Sequence, residues 1–101
     1  MTSIGEYTFS NCTSLAEITI PDSVTNIGRY AFKACTKLEK ITMSNSLVSI
    51  DEYAFVDCAG LTEVVLPDGM TSVGTSAFLN CTGLKKITIP DSVTAIAGFG
   101  F

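Results

Sequence analysis

Read for hydrophobic and polar positions alone, the chain repeats itself every 23 residues from Ile4 onward. Phe9, Phe32, Phe55 and Phe78 form one apolar column, which Phe101 continues. Cys12, Cys35, Cys58 and Cys81 form the next, and Leu15, Leu38, Leu61 and Leu84 a third. Ile18, Ile41, Val64 and Ile87 follow, then Ile20, Met43, Leu66 and Ile89, and finally Val24, Leu47, Met70 and Val93. The repeats run 4–26, 27–49, 50–72 and 73–95, with a partial repeat at 96–101, and no insertion or deletion breaks the register. Such a period marks a solenoid, because one repeat cannot bury its own apolar face and must stack on its neighbours.

Local patterns predict the path of each rung. The alternation Glu17-Ile18-Thr19-Ile20 has period two and predicts a strand with one buried face. Pro-Asp-Ser or Pro-Asp-Gly then ends it, since proline brings no amide hydrogen to a ladder. A second short extended piece, such as Val24 to Ile27, leads into a glycine. From Tyr30 to Cys35 the apolar Ala31, Phe32 and Cys35 have helix-like spacing, which predicts one short helical turn. The expected rung is therefore strand, turn, short strand, helical turn, and residues 1–101 form one domain.

The consensus I-G-x-Y-A-F-x-x-C-x-x-L-x-x-I-x-I-P-x-x-V resembles the BspA-like leucine-rich repeat family over essentially the whole chain. That resemblance implies a right-handed leucine-rich-repeat solenoid, mostly β, with parallel strands on its concave face. It also implies a cell-surface or secreted protein of a bacterium or protist that engages host or matrix proteins. Three departures stand out: Ser76 replaces Tyr, Asp51 replaces Gly, and Met43-Ser44-Asn45 lacks the Pro.

Composition narrows the function classes. Hydrophobic residues make up 47% of the chain and charged residues 16%, too apolar for a disordered tail. No apolar run approaches the roughly 18 residues of a membrane helix, and no basic segment followed by an apolar stretch marks a signal peptide. The net charge of -4 argues against nucleic acid and against a polybasic membrane patch. The chain holds no histidine, so the commonest general base and metal ligand is missing. No Gly-rich phosphate loop occurs, and carboxylates are spread by the repeat instead of gathered in a pocket. Neither an enzyme nor a cofactor or metal is expected.

The outward strand positions carry the candidate site. Glu17, Lys40, Glu63 and Lys86 form one column of alternating sign, and Thr19, Thr42, Val65 and Thr88 the neighbouring one. Adjacent opposite charges contribute roughly 0.2–1 kcal/mol per exposed pair, so mild register control and a ligand-facing strip are both open. Glu6, Arg29 and Glu52 alternate in a second charged column. The threonines lack the second regular threonine column that ice binding would want. The cysteines lie 23 residues apart, unlike the close pairs of zinc sites. An inward ladder of free thiols is the leading reading, with disulfides and a metal behind it. Asp22, Asp68 and Asp91, with Asn45, suit turn capping before calcium binding. Tyr7, Tyr30 and Tyr53, continued by Phe99, either pack on the next rung or anchor an interface. Val56 and Leu79 either form a small exposed apolar patch or are buried. Asn11-Cys12-Thr13 and Asn80-Cys81-Thr82 match glycosylation sequons, which the repeat consensus itself produces.

Neither terminus shows a polar cap, which predicts a piece of a longer array and allows self-association through the ends. The expected function is a non-catalytic protein-binding or adhesion module with its ligand on the concave strand face. The alternative is a structural spacer or self-assembling repeat without a ligand of its own.

Overall fold

Each rung supplies one three-residue and one two-residue strand, and like strands of successive rungs pair in parallel. The computed structural model describes residues 2–96. The strands are β1 (Ser3–Ile4), β2 (Glu17–Thr19), β3 (Asn26–Ile27), β4 (Lys40–Thr42), β5 (Ser49–Ile50), β6 (Glu63–Val65), β7 (Ser72–Val73), β8 (Lys86–Thr88) and β9 (Ala95–Ile96). Odd-numbered strands form a five-stranded sheet and even-numbered strands a four-stranded one. The pairing register is the sequence repeat itself: Ile4 pairs Ile27, Ile27 pairs Ile50, and Glu17 pairs Lys40.

Both sheets and the turn segment between them send apolar side chains to one core. Phe32 and Phe55 are fully buried and Phe78 nearly so, while Phe9 is half-buried. Their rings stack through the rungs at centroid distances of 5.1, 4.9 and 5.1 Å, with planes within 11°. Burial of a side chain of this size stabilises by about 1.5–3 kcal/mol. The regularity of the ladder follows from identical residues meeting at a constant strand spacing of about 4.8 Å.

The expected helical turn does not form; no helix occurs among the described residues. Backbone N–H groups of the turn segment instead alternate between two kinds of partner. Ala31, Lys33 and Cys35 donate to the carbonyls of Gly28, Tyr30 and Phe32 within their own rung. Tyr30, Phe32 and Ala34 donate across to Glu52, Ala54 and Val56 of the next rung. A helix would keep all of these bonds within the segment. Tyr30 and Ala34 have φ of 59° and 58°, and the same two columns are left-handed in the other three full rungs: Tyr7 and Asn11, Tyr53 and Asp57, Ser76 and Asn80. One left-handed residue suffices to end a right-handed helix. Each segment thus gives up helical bonds for a ladder that ties rung to rung. Tight stacking is visible at Gly28, where a Cβ would lie 2.7 Å from the Ile4 carbonyl.

Candidate protein-binding face

The four-stranded sheet shows one face to solvent. Its inward residues Ile18, Ile41, Val64 and Ile87 are buried or half-buried, so by strand alternation the residues on either side must project outward. Glu17, Thr19, Lys40, Thr42, Glu63, Val65, Lys86 and Thr88 are all exposed. They form two parallel columns in register, Glu17–Lys40–Glu63–Lys86 and Thr19–Thr42–Val65–Thr88. Within the charged column Lys86 and Glu63 approach to 4.0 Å. Lys40 makes no ion pair among the described residues. At this exposure such pairs contribute about 0–1 kcal/mol and leave the charges available. The second charged column lies elsewhere on the surface, with Arg29 between Glu6 at 3.8 Å and Glu52 at 4.0 Å.

The face is not uniform. β2 and β4 pair over three residues, as do β6 and β8, but β4 and β6 pair only at Lys40 and Glu63. Just beyond the strands, Ile20 donates its N–H to the Thr42 carbonyl at 2.8 Å and Leu66 to that of Thr88 at 3.0 Å. The equivalent bond from Met43 to Val65 is not made. Rungs one and two are therefore zipped together, as are three and four, while a seam opens between two and three.

The cause lies in the turns. Ser44 stands in the proline column, fully buried, and donates its hydroxyl to the Val24 carbonyl of rung one at 2.7 Å. Asn45 N–H reaches Asp22 Oδ1, also of rung one, at 3.2 Å. Rung two is thus drawn toward rung one. On rung four, Ser92 donates to the Asp68 and Met70 carbonyls of rung three. Rung three has Pro67, without a backbone donor, and Gly69, without a side chain, so these two positions send no such tie, and its turn reaches back to rung two at Thr71, whose N–H donates to the Val48 carbonyl at 2.8 Å. A shallow depression of about 290 Å³ follows, lined by Lys40, Ile41, Thr42, Met43, Asn45, Glu63, Val65 and Pro67. Sequence reasoning placed Lys40, Thr42, Glu63 and Val65 on this face but missed the depression. Its signals were the missing proline at Ser44 and the glycine at Gly69.

The other columns resolve as follows. All four cysteines are free thiols. Cys35, Cys58 and Cys81 each direct Sγ to the carbonyl of Phe9, Phe32 and Phe55, at 3.1, 3.0 and 3.2 Å. The neighbouring Cys35 thiol and burial raise the Cys58 pKa, and burial chiefly pushes the Cys81 thiol up to about 11. Tyr7, Tyr30 and Tyr53 pack on one another at 5.0 and 5.1 Å. Arg29 and Lys33 lie 5.8 and 5.6 Å from the Tyr30 ring. Phe99 and Phe101 lie outside the described residues. Val56 is buried and Leu79 half-buried, so no exposed patch forms there. Asp22 caps the next turn, and Asn80 of the second sequon donates to Asp57 at 2.9 Å. Among the described residues no three His, Cys, Asp or Glu side chains converge as a metal site, and no helix is long and apolar enough to cross a membrane.

Residues 1–101 match the family described as BspA type leucine rich repeat region, in six copies. No curated protein matches the chain. A leucine-rich repeat protein of T. pallidum superposes with a TM-score of 0.93 at 33% identity, covering 95% of this chain and 45% of its own. A leucine-rich cell surface protein from Faecalibacterium prausnitzii matches at 32% identity and a TM-score of 0.66, over 100% of this chain and 34% of its own. The pneumococcal vaccine antigen PcpA matches at 27% identity and a TM-score of 0.82, over 97% and 27%. The chain spans less than half the length of each of these relatives.

Proposed function

Because the chain belongs to the BspA-type leucine-rich repeat family, we propose that it is a non-catalytic protein-binding and adhesion module of a cell-surface or secreted protein, with its ligand on the open face of the four-stranded sheet. The observation that carries this reading is the pair of exposed columns, charged and threonine-rich, held in register on strands whose inward residues fix them to the core. A rigid array of side chains that costs little entropy to order is what an extended protein interface needs. One structural relative is described as a cell surface protein and another as a vaccine antigen, which supports the location. The partner class is protein, with host or matrix proteins first.

The test is biolayer interferometry of the chain against immobilised matrix proteins, alongside a variant carrying E17A, K40A, E63A and K86A. All four residues are exposed, so the variant should keep its circular dichroism spectrum and lose binding. Unchanged binding by a folded variant sinks the assignment, and a parent chain that binds none of the panel favours the spacer role.

A further inference from the structure

We propose that the strand face pairs with the same face of a second copy of this chain, antiparallel, about a twofold axis that runs along the strands between rungs two and three. This deepens the protein-binding reading above and rests on it, naming a second copy as a partner of that face.

The order of charges selects the arrangement. Along the stack the outward column runs Glu17, Lys40, Glu63, Lys86, each in register with the next. Read backwards, the column is opposite in sign at every rung. An axis along the strands lays each column over its own image and reverses the order of the rungs. Glu17 then meets Lys86 of the second copy, Lys40 meets its Glu63, and the symmetry makes each pair twice. Because the rungs are evenly spaced, all of these pairs form together. Within one chain Lys86 and Glu63 lie 4.0 Å apart, yet their side chains stay 70% and 54% exposed, so both remain open to a partner.

Competing arrangements fail on sign. A twofold axis along the stack sets Glu17 on Glu17 and Lys40 on Lys40. An antiparallel copy shifted by one rung sets Glu17 on Glu63 and Lys40 on Lys40. A shift of two rungs restores opposite signs but halves the number of pairs. Like charges placed directly opposite are destabilising, so full antiparallel overlap is the favoured register.

The neighbouring column fits the same axis. Thr19 lies over Thr88 of the second copy, and Thr42 over its Val65. Val65 is 51% exposed and is the one large apolar side chain among the eight face residues. It stands beside the axis, so the pair has an apolar centre with charge toward its rim, as protein interfaces do. Thr42 and Val65 also line the depression at the seam, where the face is recessed and leaves the second copy's valine room. Four strands of three residues cover on the order of 200 Å², well below the roughly 800 Å² per partner of a stable interface. The pair is therefore weak and reversible, and many copies on two opposed surfaces gain by avidity.

The experiment is sedimentation equilibrium of the chain up to about 1 mM, where weak pairs populate. The parent should show a reversible monomer–dimer equilibrium that stops at the dimer. E17K with E63K makes the column all lysine and takes the net charge from -4 to zero, which removes general repulsion between copies. It should nonetheless pair about tenfold or more weakly, as should the all-glutamate K40E with K86E. Mixed in equal amounts, the two should form a heterodimer that neither forms alone. The four-fold inversion E17K, K40E, E63K, K86E keeps the alternation within the stack and should pair with itself as the parent does. Circular dichroism checks folding of each variant, and the inversion carries the test if a single-sign column unfolds. A monomeric parent, a folded single-sign variant that pairs like the parent, a folded inversion that does not pair, or assembly beyond the dimer overturns the proposal. The two readings fail separately. If the parent stays monomeric while the four-alanine variant loses its matrix partner, the face stands and self-pairing falls. If the four-alanine variant keeps a matrix partner but no longer pairs with itself, the matrix assignment falls and self-pairing stands.

Discussion

Replacing Phe55 by Ala should cost about 3–5 kcal/mol, a large part of the stability of a domain this size. Phe55 is fully buried and lies between Phe32 and Phe78, at 4.9 and 5.1 Å. Truncation of a buried phenylalanine typically costs about 3–5 kcal/mol, cavity included, and each aromatic pair adds about 0.5–1.5 kcal/mol beyond burial. Against roughly 5–15 kcal/mol for an ordinary domain, that is on the order of a third to a half of the total. The same change at Phe9 should cost clearly less, because Phe9 is half-buried and stacks on Phe32 as its only ring neighbour among the described residues. Urea unfolding followed by circular dichroism measures both. F55A should lower the midpoint and also the slope, since a broken middle rung lets the flanking rungs unfold separately. Equal losses at Phe9 and Phe55, or a loss below about 1 kcal/mol at Phe55, would refute an account in which rungs are held by their neighbours.

Three smaller changes probe other features. Ala34 has φ of 58° in a column otherwise held by Asn11, Asp57 and Asn80, so A34N should relieve left-handed strain and stabilise by about 0.5–1 kcal/mol; an unchanged or lower melting temperature counts against it. G69S should stabilise by about 1–2 kcal/mol, from new hydroxyl bonds and a less flexible unfolded chain, and a fall in melting temperature would refute the seam's stated cause. The Cys81 pKa rises from 9.0 to about 11 on folding, so its contribution is whole below pH 9 and is lost as pH climbs toward 11. C81A should flatten the loss of stability over that window, and an unaltered slope would show that other groups titrate there.

The fold was legible because every rung repeats the same apolar columns, and a constant offset fixes strand register without further information. Outward and inward strand residues followed from alternation alone, which is why all eight face residues were placed correctly on the surface. The turn segment was misread for a physical reason. Ala31, Phe32 and Cys35 have the spacing of a helix, but that spacing does not reveal where the backbone bonds go. The left-handed residues give a weak clue at Asn11, Asp57 and Asn80 and none at Tyr30, where ring stacking and bonds to the next rung offset the strain. The depression was illegible for a different reason. It arises from the difference between adjacent rungs, through Ser44 and Gly69, and a consensus reading averages such differences away.

The cross-rung bonds of the turn segment all run one way. Tyr7, Phe9 and Asn11 donate to Arg29, Ala31 and Lys33, and the same direction recurs from rung two to three and from three to four. Three files of peptide dipoles therefore point along the stack, giving it a head and a tail. A second copy related by a twofold axis would set carbonyl against carbonyl, or amide against amide, and could not prolong these files. Only a copy or a further rung arriving with the same polarity can, so any growth that prolongs these files is directional.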